Sequence, residues 1–446
     1  MKTKKNEKKL RDSKKIDEPI MKTIKDIWFT RRDLISDGFD EAAYYLKRHL
    51  DKAAKGSKNS KNVNVKIHEV PTGTKCWTWV VPDKWEVKKA WIKDERGKKI
   101  LDLKDHPLHV MSYSLPINKT VSKEELLKHL HTNQQRPDAI PFEFKYYEKD
   151  WGFCMEHNKL GLLITNKYGV HIDSAFKKGT LKIIDTTIKG AVDDIIVIVA
   201  HLCHPCMVND DLTGVAIGME IAKSLMNQKN HYTYKILFLP ETIGSIAYMS
   251  QNEELIPKMK YGLFLEMLGN NNTHALQYSR QANTRLDRIA KNIMQQHLPM
   301  FREGAFRKVV GNDEMVFNGP GVDIPMISIS RWPYPKYHTS DDNPSIANEE
   351  RLEESKRIIL EILRIIEADY YPRRTFKGPV FLSGYGLWVD WRINKKLNSN
   401  LEQIFLRFEG DKSIFDIAEE LELKFDEVLE YVNRFHAKGL VTKEYH

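Results

Sequence analysis

The chain has 446 residues with a formal net charge of +9, 41% hydrophobic and 10% aromatic, a length that suits two or three domains with sizeable cores. No run approaches the roughly 18 apolar residues of a membrane span, the start lacks an apolar signal core, and four unpatterned cysteines fit a reducing interior, so the expectation is a soluble cytoplasmic chain without membrane contact. Residues 1–15 carry eight Lys/Arg against two acidic groups, which leaves the rest only slightly basic; residues 1–20 read as a solvated, disordered tail, and nucleic acid is not an expected partner.

Ile24 to Leu50 reads as a short helix, a turn near Gly38 and a longer helix, and Lys52 to Asn62 is a polar connection. From Val63 the chain turns to short strand-like runs, Val63–Gly73, Trp77–Pro82, Trp85–Lys93 and His109–Pro116, with a hairpin signal at Asp94-Glu-Arg-Gly97. Val121-Ser-Lys-Glu-Glu opens a capped helix. Residues 63–135 are therefore expected to form a small, mostly β insert that interrupts a catalytic domain of residues 21–62 and 136–372, because the helices before it have no core of their own. The aromatic run from Pro137 to Cys154 returns the chain, its rings either packing the insert on the main sheet or lining a cleft.

Ile195 to Ala200 is uncharged and mostly β-branched, as in a buried parallel strand. It delivers His201 to the strand's carboxyl end, where open α/β sheets place ligands. His201-Leu-Cys-His-Pro-Cys-Met-Val-Asn-Asp210 then leads into an amphipathic helix over Val215–Leu225. Two more buried strands end in carboxylates, Tyr234 to Glu241 and Tyr261 to Glu266, and His338 comes after a fourth strand, Ile324–Ser330. Each group has a plainer reading alone: Asp210 and Asp211 as helix caps, Cys203 and Cys206 as a structural-zinc or redox pair, the histidines as core residues. Together they set metal- or proton-handling groups along one sheet edge. The fold class expected is α/β, a mixed, largely parallel sheet flanked by helices.

Leu352 to Asp369 is apolar at helical spacing and should close the catalytic domain, with Tyr370–Pro379 as linker. Residues 379–446 show three helical runs, Leu401–Phe408, Ile414–Leu421 and Phe425–Lys438, and a terminal strand, the pattern of a winged helix. The expected recognition helix, Lys424–Arg434, carries more acidic than basic groups, so a protein contact or self-association fits it better than DNA.

The order of these groups resembles the zinc aminopeptidases of the family that includes the glutaminyl cyclases, with its His-x-Asp, Asn-Asp-Asp-x-Ser-Gly, Glu-Glu, Asp-x-x-Gly and late Tyr-His, over roughly residues 160 to 370. The resemblance implies His201, Asp210 (bridging), Glu266 and His338 as metal ligands, Glu241 as general base, and Asp313 near the site. Two departures stand out: Cys203 replaces the supporting Asp, and Thr242 replaces a second ligand Glu. The resemblance thus leaves open one zinc or two, another divalent metal, and His204 as an added ligand. The phrases His68-Glu-Val-Pro-Thr-Gly-Thr74, Leu108-His-Val-Met-Ser-Tyr-Ser114, Tyr146-Tyr-Glu-Lys-Asp-Trp-Gly-Phe-Cys154 and His201-Leu-Cys-His-Pro205 also resemble an uncharacterised bacterial and archaeal family. That family joins an aminopeptidase-like domain, a β insert and a winged helix, and is often associated with surface-polysaccharide biosynthesis. The two resemblances together imply a metal-dependent amide hydrolase acting on a peptide or amino-acid conjugate; a deacylase or cyclase, a ligand-sensing DNA-binding regulator and a pseudo-enzyme scaffold are the alternatives.

Overall fold

A computed structural model describes residues 19–445; the expected basic tail falls almost wholly outside the described residues. The chain divides into two compact units, one of residues 1–287 and 298–357, the other of residues 288–297 and 358–446. The first is built on an eight-stranded sheet. Its four central strands, Thr233–Leu239, Ile195–His201, Met259–Leu265 and Met326–Ser330, lie side by side and parallel. Every residue of Ile195–His201 and of Met326–Ser330 is buried, as β-branched runs covered on both faces must be. Helices Asp37–Gly56 and Leu212–Met226 pack on each other and on this sheet. The sheet is mixed: Thr180–Ile188 joins antiparallel to Thr233–Leu239, and the short strand Ala275–Gln277 runs antiparallel to Met326–Ser330. This is the α/β architecture expected from the sequence.

The expected limits of the insert need correction. Val63–Pro71 is not in it: this strand pairs antiparallel along its whole length with Thr180–Ile188 and forms one edge of the main sheet. The separate four-stranded sheet instead takes Lys84–Asp94, Lys99–Asp102 and Ile117–Ser122 from the expected insert and Lys167–Lys177 from beyond it. Alternation marks a half-covered strand but carries no information about which sheet it joins. The hairpin at Asp94 to Gly97 is present, with Asp94 Oδ1 accepting the Arg96 and Lys98 N–H groups, and Ser122 caps helix Lys123–Lys128.

The second unit contains helices Lys395–Phe405, Ile414–Glu420 and Phe425–Ala437. Its Tyr371–Arg374 segment, expected as linker, is a strand paired antiparallel with Val441–Glu444; Pro372 is tolerated there because a two-stranded ribbon consists of edges. Helix Glu349–Ala368 crosses the division, its first part belonging to the first unit and the part from Ile358 to the second.

Candidate metal centre

The loop after His201 is fixed from two sides by buried charges. Arg32, fully buried, donates from Nε to Leu202 O (3.1 Å) and from Nη2 to His204 O (2.6 Å) and Met207 O (2.9 Å). Its Nη1 binds Ile27 O and Trp28 O, and burial lowers the guanidinium to about 10. From the other side, Asp342 accepts the Asn209 N–H (2.6 Å), the Asp210 N–H (3.1 Å) and the Tyr334 hydroxyl (2.7 Å), and burial pushes its carboxyl up to about 6. Asp211 is the cap of helix Leu212–Met226: its Oδ1 accepts from Gly214 N (2.9 Å) and Met267 N (3.0 Å). A Cβ at Gly214 would lie 2.4 Å from Asp211 Oδ2 and 2.5 Å from Leu265 O, so only glycine allows the helix to start so close to the next strand. The capping reading thus describes Asp211, and it leaves Asp210 free to face the histidines.

Asp210 Oδ1 lies 3.0 Å from His201 Nε2, and Oδ2 lies 3.1 Å from His338 Nε2 and 4.0 Å from His204 Nε2. His204 Nε2 is 3.5 Å from Glu241 Oε2, and His204 Nδ1 is 3.1 Å from His201 Nδ1. Two sets of side chains have ligand atoms mutually within 4.8 Å: His201, Cys203, His204 and Glu241, and His204, Asp210 and His338. Glu266, expected as a ligand, is in neither set among the described residues. It is fully buried, with Oε2 accepting from Asn312 Nδ2 at 3.0 Å. Asp313 is also buried and accepts the Thr242 N–H at 2.8 Å. Thr242 therefore enters through its backbone, at a φ of 60° between strand and helix, a strained value for a β-branched residue. Of the cysteines, Cys203 Sγ accepts the Glu241 N–H while Cys206 Sγ faces Phe29 O, and all four are free.

A zinc-type ion fits these donors. His201 Nε2, Asp210 Oδ2, Glu266 Oε1 and His338 Nε2 are all buried and make no hydrogen bond, in spite of the short N···O separations. Each unsatisfied buried polar atom costs about 1–3 kcal/mol, and two imidazole nitrogens with two carboxylate oxygens are what such an ion takes. Without an ion, burial and neighbouring charges shift several of these groups. Burial disfavours a charged His201, but Asp210 and Cys203 outweigh it and hold the imidazole well above its ordinary value. Burial pushes His204 well below it. Burial opposes ionised Asp210, yet His204, His201 and His338 hold its carboxyl well below the usual range. Burial raises Glu266, with Glu314 and Asp211 adding to it, and raises Glu241, with Asp210 adding to it. Burial and the Glu241 charge push Asp313 up to about 7.

The aromatic return segment reaches the site. Phe142 N donates to His338 O (2.8 Å), and the Phe142 ring meets His204 and His338 edge-on. Tyr337 stacks on His338 at 3.8 Å. A cavity of about 440 Å³ is lined by Leu34, Trp79, Phe144, Tyr146 and Tyr147 together with Glu241 and Thr242, so part of this run lines a cleft. Sequence reasoning missed Arg32, Asp342 and Asn312. Arg32, in a turn between two helices, gives no sign of partners some 170 residues away; the doublet Asp341-Asp342 is a visible signal beside His338, and Asn312 precedes Asp313 directly.

Residues 21–369 match the model of a family described as "Domain of unknown function (DUF4910)". A protein of Clostridium acetobutylicum named "Putative polysaccharide biosynthesis protein with aminopeptidase-like domain" is 36% identical over 309 residues, 69% of this chain and 71% of that one. The crystal structure of a "putative peptidase" from Clostridium acetobutylicum superposes with a TM-score of 0.82 at 29% identity, covering 99% of each chain. BSAP, a zinc aminopeptidase from Bacillus subtilis, shares the fold at a TM-score of 0.57 and 14% identity, over 78% of this chain and 94% of that one.

Proposed function

The chain belongs to the DUF4910 family, and on that footing we propose that it is a metal-dependent amide hydrolase of the aminopeptidase type. The observation that carries this is three orphaned ligand atoms, on His201, His338 and the Asp210 carboxylate between them, with Glu241 3.5 Å from the neighbouring His204. With Glu266 as the fourth ligand that the resemblance implies, these residues would hold a zinc-type ion, which when bound polarises a carbonyl and makes water acidic. Glu241 is the base: it faces the aromatic cavity, its carboxyl is held toward neutrality by burial, and it takes the attacking water's proton and passes it to the leaving amine. Asp313, through the Thr242 N–H, fixes the turn that aims it.

The name of the Clostridium relative supports a substrate in polysaccharide biosynthesis, and the chemistry proposed here would take an amide on an amino sugar or an aminoacyl conjugate. Thr242, which offers no carboxylate where two-ion relatives are expected to have one, favours a one-ion deacylase or cyclase as the second reading. The three-helix unit serves protein contact or self-association in this proposal, since helix Phe425–Ala437 carries Asp426, Glu427 and Glu430 on its length. Elemental analysis of the purified protein beside a panel of aminoacyl reporters tests the whole reading. Stoichiometric zinc with chelator-sensitive turnover is expected; full turnover after exhaustive chelation would remove the metal from the reaction.

A further inference from the structure

His201 and His204 face each other through their Nδ1 atoms at 3.1 Å, both rings buried. Two ring nitrogens at that distance share one proton, because two N–H groups or two lone pairs set head to head repel. A neutral imidazole binds a metal through its unprotonated nitrogen and keeps its proton on the other. The free nitrogen of His201 is Nε2, orphaned and 3.0 Å from Asp210 Oδ1. With an ion on that nitrogen, its proton would be on Nδ1 and donated to His204 Nδ1. That leaves the proton of His204 on Nε2, the atom 4.0 Å from Asp210 Oδ2 and 3.5 Å from Glu241 Oε2. A ring so protonated has no lone pair left for an ion.

We propose that His204 is a positioning residue rather than a ligand: it accepts the His201 Nδ1–H, holds that ring in the tautomer and orientation a metal requires, and thereby limits the centre to one tightly held ion. This rests on the metal-dependent reading above. The limit to one ion comes from the donor count. His204 belongs to both sets of side chains whose ligand atoms lie within 4.8 Å of one another; withdrawing it leaves a second ion only shared ligands, the Cys203 thiol and Glu241, which is the base, too few for tight binding. The backbone secures the arrangement, since Arg32 holds the His204 carbonyl. Cys203, whose Sγ lies 3.9 Å from His204 Nδ1 and accepts the Glu241 N–H, marks a place from which a carboxylate would reach the same proton.

Titration calorimetry of the full-length, metal-free protein with zinc reads this without turnover. One tight equivalent is expected for the unaltered chain. His204→Ala should keep that stoichiometry and weaken binding by about 10- to 100-fold, the usual cost of losing a ligand's hydrogen-bond partner. His204→Asn places an amide oxygen near the Nδ1 position and should bind within about threefold of the parent, as should Cys203→Asp combined with His204→Ala if the single variant folds poorly. Two tight equivalents falling to one in both His204 variants would make His204 a ligand and overturn the proposal. So would an unchanged affinity in His204→Ala, or an asparagine variant as weak as the alanine one. Zinc bound as expected without hydrolysis of any amide would sink the proposed function and leave this inference standing.

Discussion

At the carboxyl ends of the central strands, His201, Asp210 and Glu266 lie buried with a ligand atom each unsatisfied, whereas the unit of residues 288–297 and 358–446 pairs its charges in solvent. There Arg288 meets Asp416 and Glu419, Arg364 meets Asp426, and Arg407 meets Glu420, all partly or largely exposed. Exposed pairs gain little, since water already solvates both partners. Buried groups without partners are costly, and a fold keeps them only where something else, a proton or a cation, satisfies them. The contrast sets buried charge without partners against exposed charge with them, and substitutions in each region test it.

The largest effect is expected at Glu241. Glu241→Gln keeps the side chain's shape but cannot accept a proton, so amide hydrolysis should fall by about 10²- to 10⁴-fold while zinc content and the unfolding midpoint stay at the parent values. Full activity in this variant would take Glu241 out of the reaction.

Next comes Arg32, a buried charge whose role is structural. Arg32→Met fills the space but strands the carbonyls of Ile27, Leu202, His204 and Met207. At about 1–3 kcal/mol for each group left without a donor, partly relieved by water, urea unfolding should show a loss of about 4 kcal/mol. A loss below about 1 kcal/mol would mean that the loop is held by other contacts.

Asp313 gives a comparable effect with a definite pH signature. Its carboxyl, at about 7 in the folded chain and about 3.9 when unfolded, binds a proton in the folded state that the unfolded state releases between those values. Its contribution to the metal-free protein is therefore full below pH 4 and is lost as pH rises through 7. Asp313→Asn keeps an oxygen for the Thr242 N–H and cannot ionise, so its stability relative to the parent should rise across pH 4–7 and level off above, by on the order of 4 kcal/mol. A difference independent of pH would show that Asp313 is not neutralised by the fold.

The same contrast explains what the sequence discloses. His201, Glu241 and Glu266 are legible because each interrupts a run of buried β residues at its carboxyl end, and an amino-acid change from apolar to ionisable is visible without knowing the fold. Asp210 and His338 are legible by their place in the connections. Glu266 illustrates the limit: its strand end is legible, its distance from the histidines is not. Arg32 and the facing Nδ1 atoms of His201 and His204 are set by the path of the 202–211 loop, where Cys206 has a φ of 57°, and no periodicity encodes such a path. Val63–Pro71 reads as part of the insert because its alternation suits an edge of either sheet, the partner Thr180–Ile188 lying far along the chain. Tyr371–Arg374 reads as linker because Pro372 and Gly378 punctuate it.

The smallest effect belongs to the second unit. Arg364 approaches Asp426 at 2.8 Å with side chains 41% and 67% exposed, and Arg364 also has Glu361 at 2.7 Å on its own helix. Asp426→Asn removes one of two partners from a guanidinium that water and Glu361 still satisfy, so unfolding free energy should change by less than about 1 kcal/mol and the change should shrink as salt is added. A loss comparable with that of Arg32→Met would mean that this pair is desolvated by a contact outside the described chain, which would itself point to the protein partner proposed for this unit. A small, salt-sensitive change instead restricts any such contact to other faces and leaves the division between buried and exposed charge intact.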